Sequence, residues 1–294
     1  MSVTLAEAVK RIQQTLLAGV GEAVVTADQF TSALPVELTS AQRVDWNEEN
    51  SLGSAEVIAA GGAISEAATT TNLSAVYLER FIREVNIPNT VSAADGAFQL
   101  AEAAKALGQK LGDQVIDGTG NHSTPEMYGL ETYIDSTQTV TVGGALTFNA
   151  LDAIAYKVLA GSNNMAFVMN KELLTKFNAL MRSSGGTQMV EVAGGLLKVP
   201  SFNGVPVLRS DYIDNNEGTG TQSSVYCVSL DPAYTKLYMK ADTVGSNPYD
   251  SMIEVIGPFQ KAGYDSQSWR MGFQAALIIK SPLALARAET VTTS

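Results

Sequence analysis

The chain has 294 residues, of which 45% are hydrophobic and 17% are charged. This length and apolar content predict one large or two modest globular domains with a buried core, and they exclude a disordered chain. The formal net charge is -11 at pH 7. That sign argues against a protein whose main task is to read nucleic acid or to dock on anionic lipid, because both carry negative charge.

The cysteine and histidine content narrows the possible chemistry further. The single cysteine, Cys227, excludes an internal disulfide framework, and the single histidine, His122, excludes metal sites built from several histidines of one chain. Cys227 lies in an apolar strand pattern typical of an inert core thiol. His122 follows a helix end in a polar turn, which favours a surface or interface position over a catalytic one.

The sequence has no recognisable catalytic constellation. It contains no Walker loop, no Gly-x-Gly-x-x-Gly and no Gly-x-Ser-x-Gly elbow. Carboxylates such as Glu48 and Glu49 are adjacent, so on a strand they would face opposite sides and could not form an acid/base pair. We therefore predict that the protein is not an enzyme and has no catalytic residue, metal site or cofactor.

No segment of the sequence is typical of a membrane span or a secretory leader. The apolar stretch at 275–279 is far shorter than the roughly 20 residues that a helix needs to cross a bilayer. Glu7, Lys10 and Arg11 interrupt the apolar positions at the N-terminus. These features predict a chain that is made and folded in a cytoplasm, without a membrane partner.

The N-terminus has the pattern of a short amphipathic helix. Thr4 and Glu7 have the spacing of a capping box. Apolar residues recur at steps of three and four positions, as one helix face requires: Leu5, Val9, Ile12 and Leu16. Two interpretations stay open at this point. The helix packs on its own domain, or it is an arm that docks on a neighbouring subunit.

Residues 44–85 have the pattern of an extended hairpin. A strand at Val44–Glu48 is followed by a stretch rich in small residues over 49–71 and by a returning strand at 76–85, for which a helix is the alternative. A projecting hairpin cannot bury both of its faces within its own subunit, so it needs a partner surface. A loop or lid over the small-residue stretch is the competing interpretation.

The strongest helix signal covers 92–117. Ser92 is placed to cap it, and Gly118 to end it. About 25 residues at 1.5 Å each make a rod of roughly 38 Å. We predict an apolar stripe formed by Phe98, Ala101, Ala104, Leu107, Leu111 and Val115.

The rest of the chain alternates between short strands and helices, which predicts an α+β fold. Helices are predicted over 151–159 and from a cap at Asn170 to Met181. Strands are predicted at 140–142, 166–169, 189–192, 196–199, 205–208, 225–230, 253–255 and 269–279.

The order of these features, together with three stretches, resembles the major capsid proteins of tailed bacteriophages, those with the HK97 fold. Residues 3–20 are similar to the N-terminal arm of one phage subgroup. Residues 100–118, followed by Tyr128-Gly129-Leu130, are similar to the spine helix and its exit. Residues 202–211 resemble a strand of the axial domain. Each motif is moderately specific, and the ordered set covers nearly the whole chain.

The resemblance implies a division into four parts, with a mechanical function. The parts are an N-terminal arm at 1–43, an extended loop at 44–85, a peripheral domain at 86–139 and 236–294 with the spine helix at 92–117, and an axial domain at 140–235. Copies would assemble through hexamers and pentamers into an icosahedral shell enclosing double-stranded DNA, in a virion assembled in the cytoplasm of a bacterial host.

The resemblance also implies partners. Besides copies of itself, the chain would meet a portal protein and packaged DNA, the latter without sequence specificity. Residues 1–43 are too few for a built-in scaffold, so a separate scaffold protein exists or the shell assembles without one. A decoration protein is a further expected partner. A negative interior would avoid the multi-phosphate contacts that make DNA binding tight.

We predict that subunit contacts involve ten residues of the arm and the loop. They are Leu5, Val9, Ile12, Leu16, Trp46, Val57, Ile58, Ile64, Tyr77 and Phe81. Removal of residues 1–22 is then expected to abolish shells and to leave a folded, soluble subunit. Normal shells from the truncated chain, seen by electron microscopy, would contradict this.

The namesake capsid cross-links its subunits covalently through a lysine on the extended loop. No lysine occurs between Lys10 and Lys105 in this chain. We therefore expect no cross-link that starts from the loop, because the attacking amine is absent. Denaturing electrophoresis of assembled particles should give one monomer band, and a ladder of multimers would refute the prediction.

Three other functions stay open. One is an adhesin or another virion part, such as a decoration or tail protein, although such proteins rarely need so long a helix beside an α+β lobe. An encapsulin-type compartment shares the fold and holds protein cargo instead of DNA. A cytoplasmic enzyme with a mobile lid at 49–75 would have a pocket with perturbed titratable groups.

Overall fold

The structure is a computed structural model that describes most of the chain. The described ranges are 3–12, 19, 21–23, 28–51, 70–90, 93–120, 125–186, 188–192, 197–215, 221–241, 247–260 and 263–293. Within these ranges it contains no helix whose length and apolar character would carry it across a bilayer.

Helices and strands alternate along the described chain. The helices are α1 (Leu5–Lys10), α2 (Gln29–Ala33), α3 (Ala93–Asp117), α4 (Leu130–Tyr133), α5 (Phe148–Lys157) and α6 (Lys171–Ser183). The strands are β1 (Val3–Thr4), β2 (Pro35–Thr39), β3 (Arg43–Ser51), β4 (Thr70–Tyr77), β5 (Glu79–Pro88), β6 (Thr139–Thr141), β7 (Met165–Met169), β8 (Gln188–Val192), β9 (Leu197–Phe202), β10 (Val205–Arg209), β11 (Gln222–Ser229), β12 (Thr235–Lys240), β13 (Glu254–Gln260), β14 (Ser266–Ile279) and β15 (Leu285–Thr292).

The first of two large sheets has six strands and is built around the long strand β14. Its main order is β1-β2-β12-β14-β13, and β5 pairs with β14 as well. Side chains alternate between its faces, as strand geometry requires. Leu237 and Met239 enter the core that contains α3, which is called the spine helix from here on. Tyr238, between them, packs on the opposite face.

The second sheet has seven strands in the order β6-β15-β11-β7-β10-β9-β8. It is covered on both faces, so its central strands are almost continuously apolar. On one face Phe167 and Cys227 pack with α5 and α6. On the other, Val168 and Tyr226 join the core that contains the spine helix. The α+β prediction is confirmed.

Several elements form where local sequence signals predict them. The spine helix runs from Ala93 to Asp117, within one residue of the predicted 92–117; its predicted cap, Ser92, lies outside the described residues. The Asn170 side chain accepts a 2.8 Å hydrogen bond from Leu173 N and caps α6. Thr4 and Glu7 form the predicted capping box of α1. The side chain of each accepts a hydrogen bond from the backbone N–H of the other.

The predicted stripe of the spine helix is wrong at its first two positions. Phe98 is 67% exposed and Ala101 is exposed, whereas Ala104, Leu107 and Leu111 are buried. At about 100° per residue, Phe98 lies almost opposite the face on which Leu111 sits. The buried face instead begins at Leu100.

Strand boundaries near the hairpin also differ from the prediction. The single returning strand at 76–85 is two strands, because Leu78 separates β4 from β5. The first continues the hairpin with β3, and the second pairs with β14 instead. The alternative helix is not formed at these residues.

The C-terminal strand, β15, lies in the seven-stranded sheet. The resemblance assigns 236–294 to one domain together with the spine helix. In the structure β15 pairs with β11 and β6 in the seven-stranded sheet. The predicted boundary at 235 therefore separates strands that are hydrogen-bonded to each other. Residues 35–39 of the predicted arm form β2, which pairs with β12 in the six-stranded sheet.

The N-terminal segment, the spine helix and the seven-stranded sheet meet around Asp28. Asp28 is buried and caps α2, since Oδ2 accepts 2.9 Å hydrogen bonds from Thr31 N and Oγ1. The backbone N–H of Arg209, at the end of β10, donates to Gln29 Oε1 at 3.1 Å. Tyr212 packs against the spine helix so closely that a Cβ on Gly112 would lie 2.2 Å from the Tyr212 ring.

Burial raises the pKa of Asp28 to about 6. The hydrogen bonds from Thr31 lower this pKa and the charge of Asp211 raises it, but burial is the largest effect. A raised folded-state pKa means that the folded chain binds this proton more tightly than the unfolded chain. The contribution of Asp28 to the free energy of unfolding of the subunit therefore rises as the pH falls from above 6 towards 4. At pH 7 the ionised carboxylate costs folding free energy.

We expect Asp28→Asn to stabilise the subunit at pH 7, because asparagine keeps the cap and removes the buried charge. The gain should be at most about 3 kcal/mol, and it should vanish near pH 4, where Asp28 is protonated. Urea unfolding of both chains at pH 4 and pH 7 measures this. An equal gain at both pH values, or a loss at pH 7, would contradict it.

Candidate functional site: surfaces for subunit contact

The feature of this fold that most needs a partner is the hairpin formed by β3 and β4. The two strands pair antiparallel from Arg43↔Tyr77 to Ser51↔Thr70 as a separate two-stranded sheet. Nine residues of β3 extend about 30 Å. Leu73 is 67% exposed and Tyr77 is 49% exposed. A lone two-stranded sheet is marginal in water, so these apolar side chains mark a surface that a partner can cover.

The root of the hairpin is anchored to its own subunit. Val76 and Leu78 are buried with Tyr238 on the second face of the six-stranded sheet, and Val44 and Trp46 pack against them. Trp46 Nε1 is buried and has no hydrogen-bond partner in the described structure. Because its root is held, the hairpin leaves the subunit in a defined direction.

The predicted contact residues of the N-terminal helix lie in the chain's own core. Leu5, Val9 and Ile12 are buried there, while Leu16 lies outside the described residues. This agrees with the first of the two interpretations of the helix. The packing also changes the expected result of removing residues 1–22, since the truncation would strip the subunit's own core. A contact of these residues with a neighbour stays a prediction.

The predicted contact residues of the loop are divided in the structure. Tyr77 is exposed and Trp46 is partly buried at the hairpin root. Phe81 is buried and stacks on Phe273, with ring centroids 5.0 Å apart. Val57, Ile58 and Ile64 lie outside the described residues. The role of all of these in subunit contacts stays a prediction.

The structure also exposes large apolar side chains that were not predicted as contacts. They are Ile82, Phe98, Tyr156, Leu159, Met189, Ile256, Phe259, Tyr264 and Leu283. A helical-wheel count would have found Phe98, because it lies off the stripe of the spine helix. The same count would have found Tyr156, because it lies on α5 away from the buried residues Leu151 and Ile154. The exposed residues on strands carry no local signal, because their exposure depends on which strands become neighbours.

The Cys227 thiol is in unreactive surroundings. Burial raises the pKa of the Cys227 thiol to about 12, which keeps it protonated, and a thiol in that state is a poor nucleophile. His122 lies outside the described residues. Across the described ranges, the His, Cys, Asp and Glu side chains form no group placed to hold a metal ion.

The comparisons with known proteins agree with this architecture. The phage capsid family matches residues 11–251. The capsid of an empty GTA particle is similar with a TM-score of 0.68 and 13% identity, covering 90% of this chain and 90% of that chain. No curated protein matches the sequence at a significant level.

Two further solved structures are similar over most of their length. The SrpI encapsulin of Synechococcus elongatus PCC 7942 has a TM-score of 0.65 and 15% identity, covering 89% of this chain and 86% of that chain. A Mycobacterium phage Ogopogo protein has a TM-score of 0.59 and 16% identity, covering 89% of this chain and 92% of that chain. With the sequence match over most of its length, the chain belongs to the phage capsid family, and it is a capsid shell protein with the HK97 fold.

Proposed function

We propose that this capsid shell protein is the major capsid protein of a tailed bacteriophage. Its copies assemble through hexamers and pentamers into an icosahedral shell that encloses double-stranded DNA. The observation that carries the proposal is the anchored hairpin of β3 and β4. It exposes Leu73 and Tyr77, and within the described chain β3 and β4 pair with no other strand. A second copy would provide that cover in a shell.

In this proposal each of the two large sheets belongs to a different domain. The lobe around the seven-stranded sheet would be the axial domain at the centre of each hexamer or pentamer, with β15 included in it. The lobe around the six-stranded sheet and the spine helix would be the peripheral domain, from which the hairpin reaches a neighbour. The subunit acts mechanically in this proposal and has no enzymatic role.

The remaining partners belong to the same proposal. The shell would hold DNA without sequence specificity, and the net charge of -11 would limit adhesion to the packaged phosphates. A portal protein and a separate scaffold or decoration protein would complete the particle in the host cytoplasm.

An encapsulin-type compartment is the second candidate. It is favoured by the likeness to the SrpI encapsulin, at a TM-score of 0.65. The two candidates differ in the contents of the shell, which are DNA in one and protein cargo in the other.

Electron microscopy of the purified chain, at high concentration and after gel filtration, tests assembly. Closed shells or rings of five and six subunits are expected. A subunit that stays small at every concentration, with or without a co-expressed scaffold, would refute the shell. Particles isolated from the producing cells then decide between the candidates. Nuclease-protected DNA supports the phage capsid, and a stoichiometric protein cargo without DNA overturns it.

A further inference from the structure

An aromatic groove of about 430 Å³ lies at the root of the hairpin, where β3 and β4 meet the segment that follows the spine helix. Three partly buried aromatic side chains line it: Trp46, Tyr128 and Tyr133. The rings of Tyr128 and Tyr133 are tilted at 45°, with centroids 5.9 Å apart. The volume lies within the range of ligand-sized pockets, so the groove has room for a long side chain of a partner.

A carboxylate stands at the edge of the aromatic groove. Asp135 lines it and is exposed. The backbone N–H of Thr137 donates to Asp135 Oδ1 at 2.7 Å, and this hydrogen bond holds the pKa of Asp135 below its usual range. Lys157 directs its Nζ to the carbonyl oxygen of Thr137, and Asp135 makes no ion pair within the described chain. The carboxylate is therefore ionised at neutral pH and open to a cation.

Aromatic faces beside a carboxylate match an organic cation. Ring faces attract cations, and a guanidinium suits such a site because it is planar, weakly hydrated and stacks on rings. Its N–H groups also donate strong hydrogen bonds to a carboxylate. The combination of Trp46, Tyr128, Tyr133 and Asp135 therefore fits an arginine side chain better than an apolar or an acidic one.

An exposed apolar rim continues from the aromatic groove. Pro282 lines the groove, and the next residue, Leu283, is exposed. Leu159 lies beside it, since Leu159 N donates to Leu283 O at 3.0 Å, and it is exposed as well. Tyr156, at the end of α5, is 84% exposed. Large apolar side chains exposed together next to a pocket are typical of a surface that another protein covers.

We propose that the aromatic groove receives an arginine side chain of a separate, basic protein, which also covers the rim at Leu159 and Leu283. Charge complementarity favours such a partner over a second copy. The chain has a net charge of -11, which attracts a basic protein over a distance and does not attract a copy of itself. This inference goes beyond the proposed shell and does not depend on it.

The arginines of the chain itself support the choice of a separate partner. In the described structure several of them already pair with carboxylates of the same chain: Arg43 with Asp45, Arg80 with Glu254, Arg209 with Asp211, and Arg270 with Glu84. A second copy therefore has few arginines to offer.

Fluorescence anisotropy with the full chain tests the site. The probe is a dye-labelled peptide, acetyl-Leu-Gly-Arg-Gly-Leu, and its control is the same peptide with citrulline, which keeps the shape of arginine without its charge. We expect the arginine peptide to bind at least about tenfold more tightly. Equal binding of the two peptides would overturn the proposal. The assay needs no shell, so its failure is distinguishable from a failure of assembly.

Substitution of the carboxylate locates the cation. Asp135→Asn should weaken binding of the arginine peptide about fivefold, and asparagine keeps the cap that Asp135 provides to Thr137. The matched control is Asp113→Asn on the spine helix, which changes the net charge equally and should weaken binding by less than about twofold. An equal effect of the two substitutions would mean diffuse attraction to an acidic chain, which overturns the proposal.

Substitution of an aromatic ring tests the stacking. Tyr128→Leu should weaken binding about fivefold, whereas Tyr128→Phe keeps the ring face and should weaken it by less than about twofold. Equal binding by the two variants would contradict recognition by the ring.

The concentration of the chain distinguishes the occupants. Competition with unlabelled arginine peptide should give the same Kd at low and at high chain concentration. A Kd that rises with chain concentration would mean that a second copy fills the aromatic groove, and it would overturn the assignment to a separate partner.

Discussion

Removal of the hairpin is expected to abolish shell formation and to leave the subunit folded. Replacing residues 48–72 with Asn-Gly joins Asn47 to Leu73, which are paired across the hairpin, by a two-residue turn that suits a tight hairpin. The root residues Val44, Trp46 and Val76, which pack on the six-stranded sheet, are kept. The core of the subunit is therefore not opened.

The expected size of this effect follows from the contact that is lost. If each hairpin contributes about 3 kcal/mol to the contact with its neighbour, its removal weakens that contact about 100-fold. Sedimentation should therefore recover no particles under conditions in which the full chain assembles. Thermal unfolding of the same variant is the control, and its Tm should fall by no more than about 3 °C.

Two outcomes would contradict this prediction. Normal particles from the shortened chain would mean that the hairpin is dispensable for assembly. Collapse of the subunit, seen as loss of the cooperative thermal transition, would mean that the hairpin is part of the subunit's own folding unit.

Substitution of Gly118 by alanine is expected to destabilise the subunit by about 3 kcal/mol or more. Gly118 lies at the exit of the spine helix, where an added Cβ would be 2.2 Å from the carbonyl oxygen of Met127 and 2.5 Å from that of Gln114. Both are backbone atoms, so relief requires the helix exit to move.

That exit is held by several hydrogen bonds. Gly118 O accepts from Gly129 N at 2.8 Å and from Thr132 Oγ1 at 2.6 Å, and Gly118 N donates to Gln114 O at 3.1 Å. Moving the backbone would weaken these bonds together. Loss of the glycine therefore affects the joint between the spine helix and the chain that follows it.

Urea unfolding of the subunit measures this effect, with Gly144→Ala as the matched control. A Cβ at Gly144 would meet no heavy atom within 4 Å, so that change should alter the free energy of unfolding by less than about 0.5 kcal/mol. If Gly118→Ala unfolds within about 1 kcal/mol of the wild-type chain, the steric argument is wrong.

The sequence by itself determined the elements whose signals are local. The spine helix begins and ends near the predicted residues. Its apolar periodicity and the glycine that ends it, Gly118, are signals that span only a few turns of helix. Asn170 caps α6 because a cap needs a donor only three residues away. The first strand of the hairpin, β3, was predictable at Val44–Glu48, whereas β4 was predicted only at its last two residues.

Elements stabilised by distant partners were not predictable in this way. The strands β2, β12 and β15 were not predicted at all. They form because β2 pairs with β12, β12 pairs with β14, and β15 pairs with β11. Short apolar stretches carry β propensity, but their choice of sheet depends on the packing of the whole chain.

For the contact surfaces too, the sequence predicts part of the answer and the tertiary structure decides the rest. The apolar stripe of Leu5, Val9 and Ile12 predicts that one helix face is buried, but the same stripe fits a neighbouring subunit or the chain's own core. The tertiary structure places these side chains in its own core. It also brings β5 and the spine helix together, although they are separate elements in the sequence, so that residues 79–83 and Gln114 line one groove. Amphipathic patterns determine which side chains leave water, and only the three-dimensional packing decides what covers them.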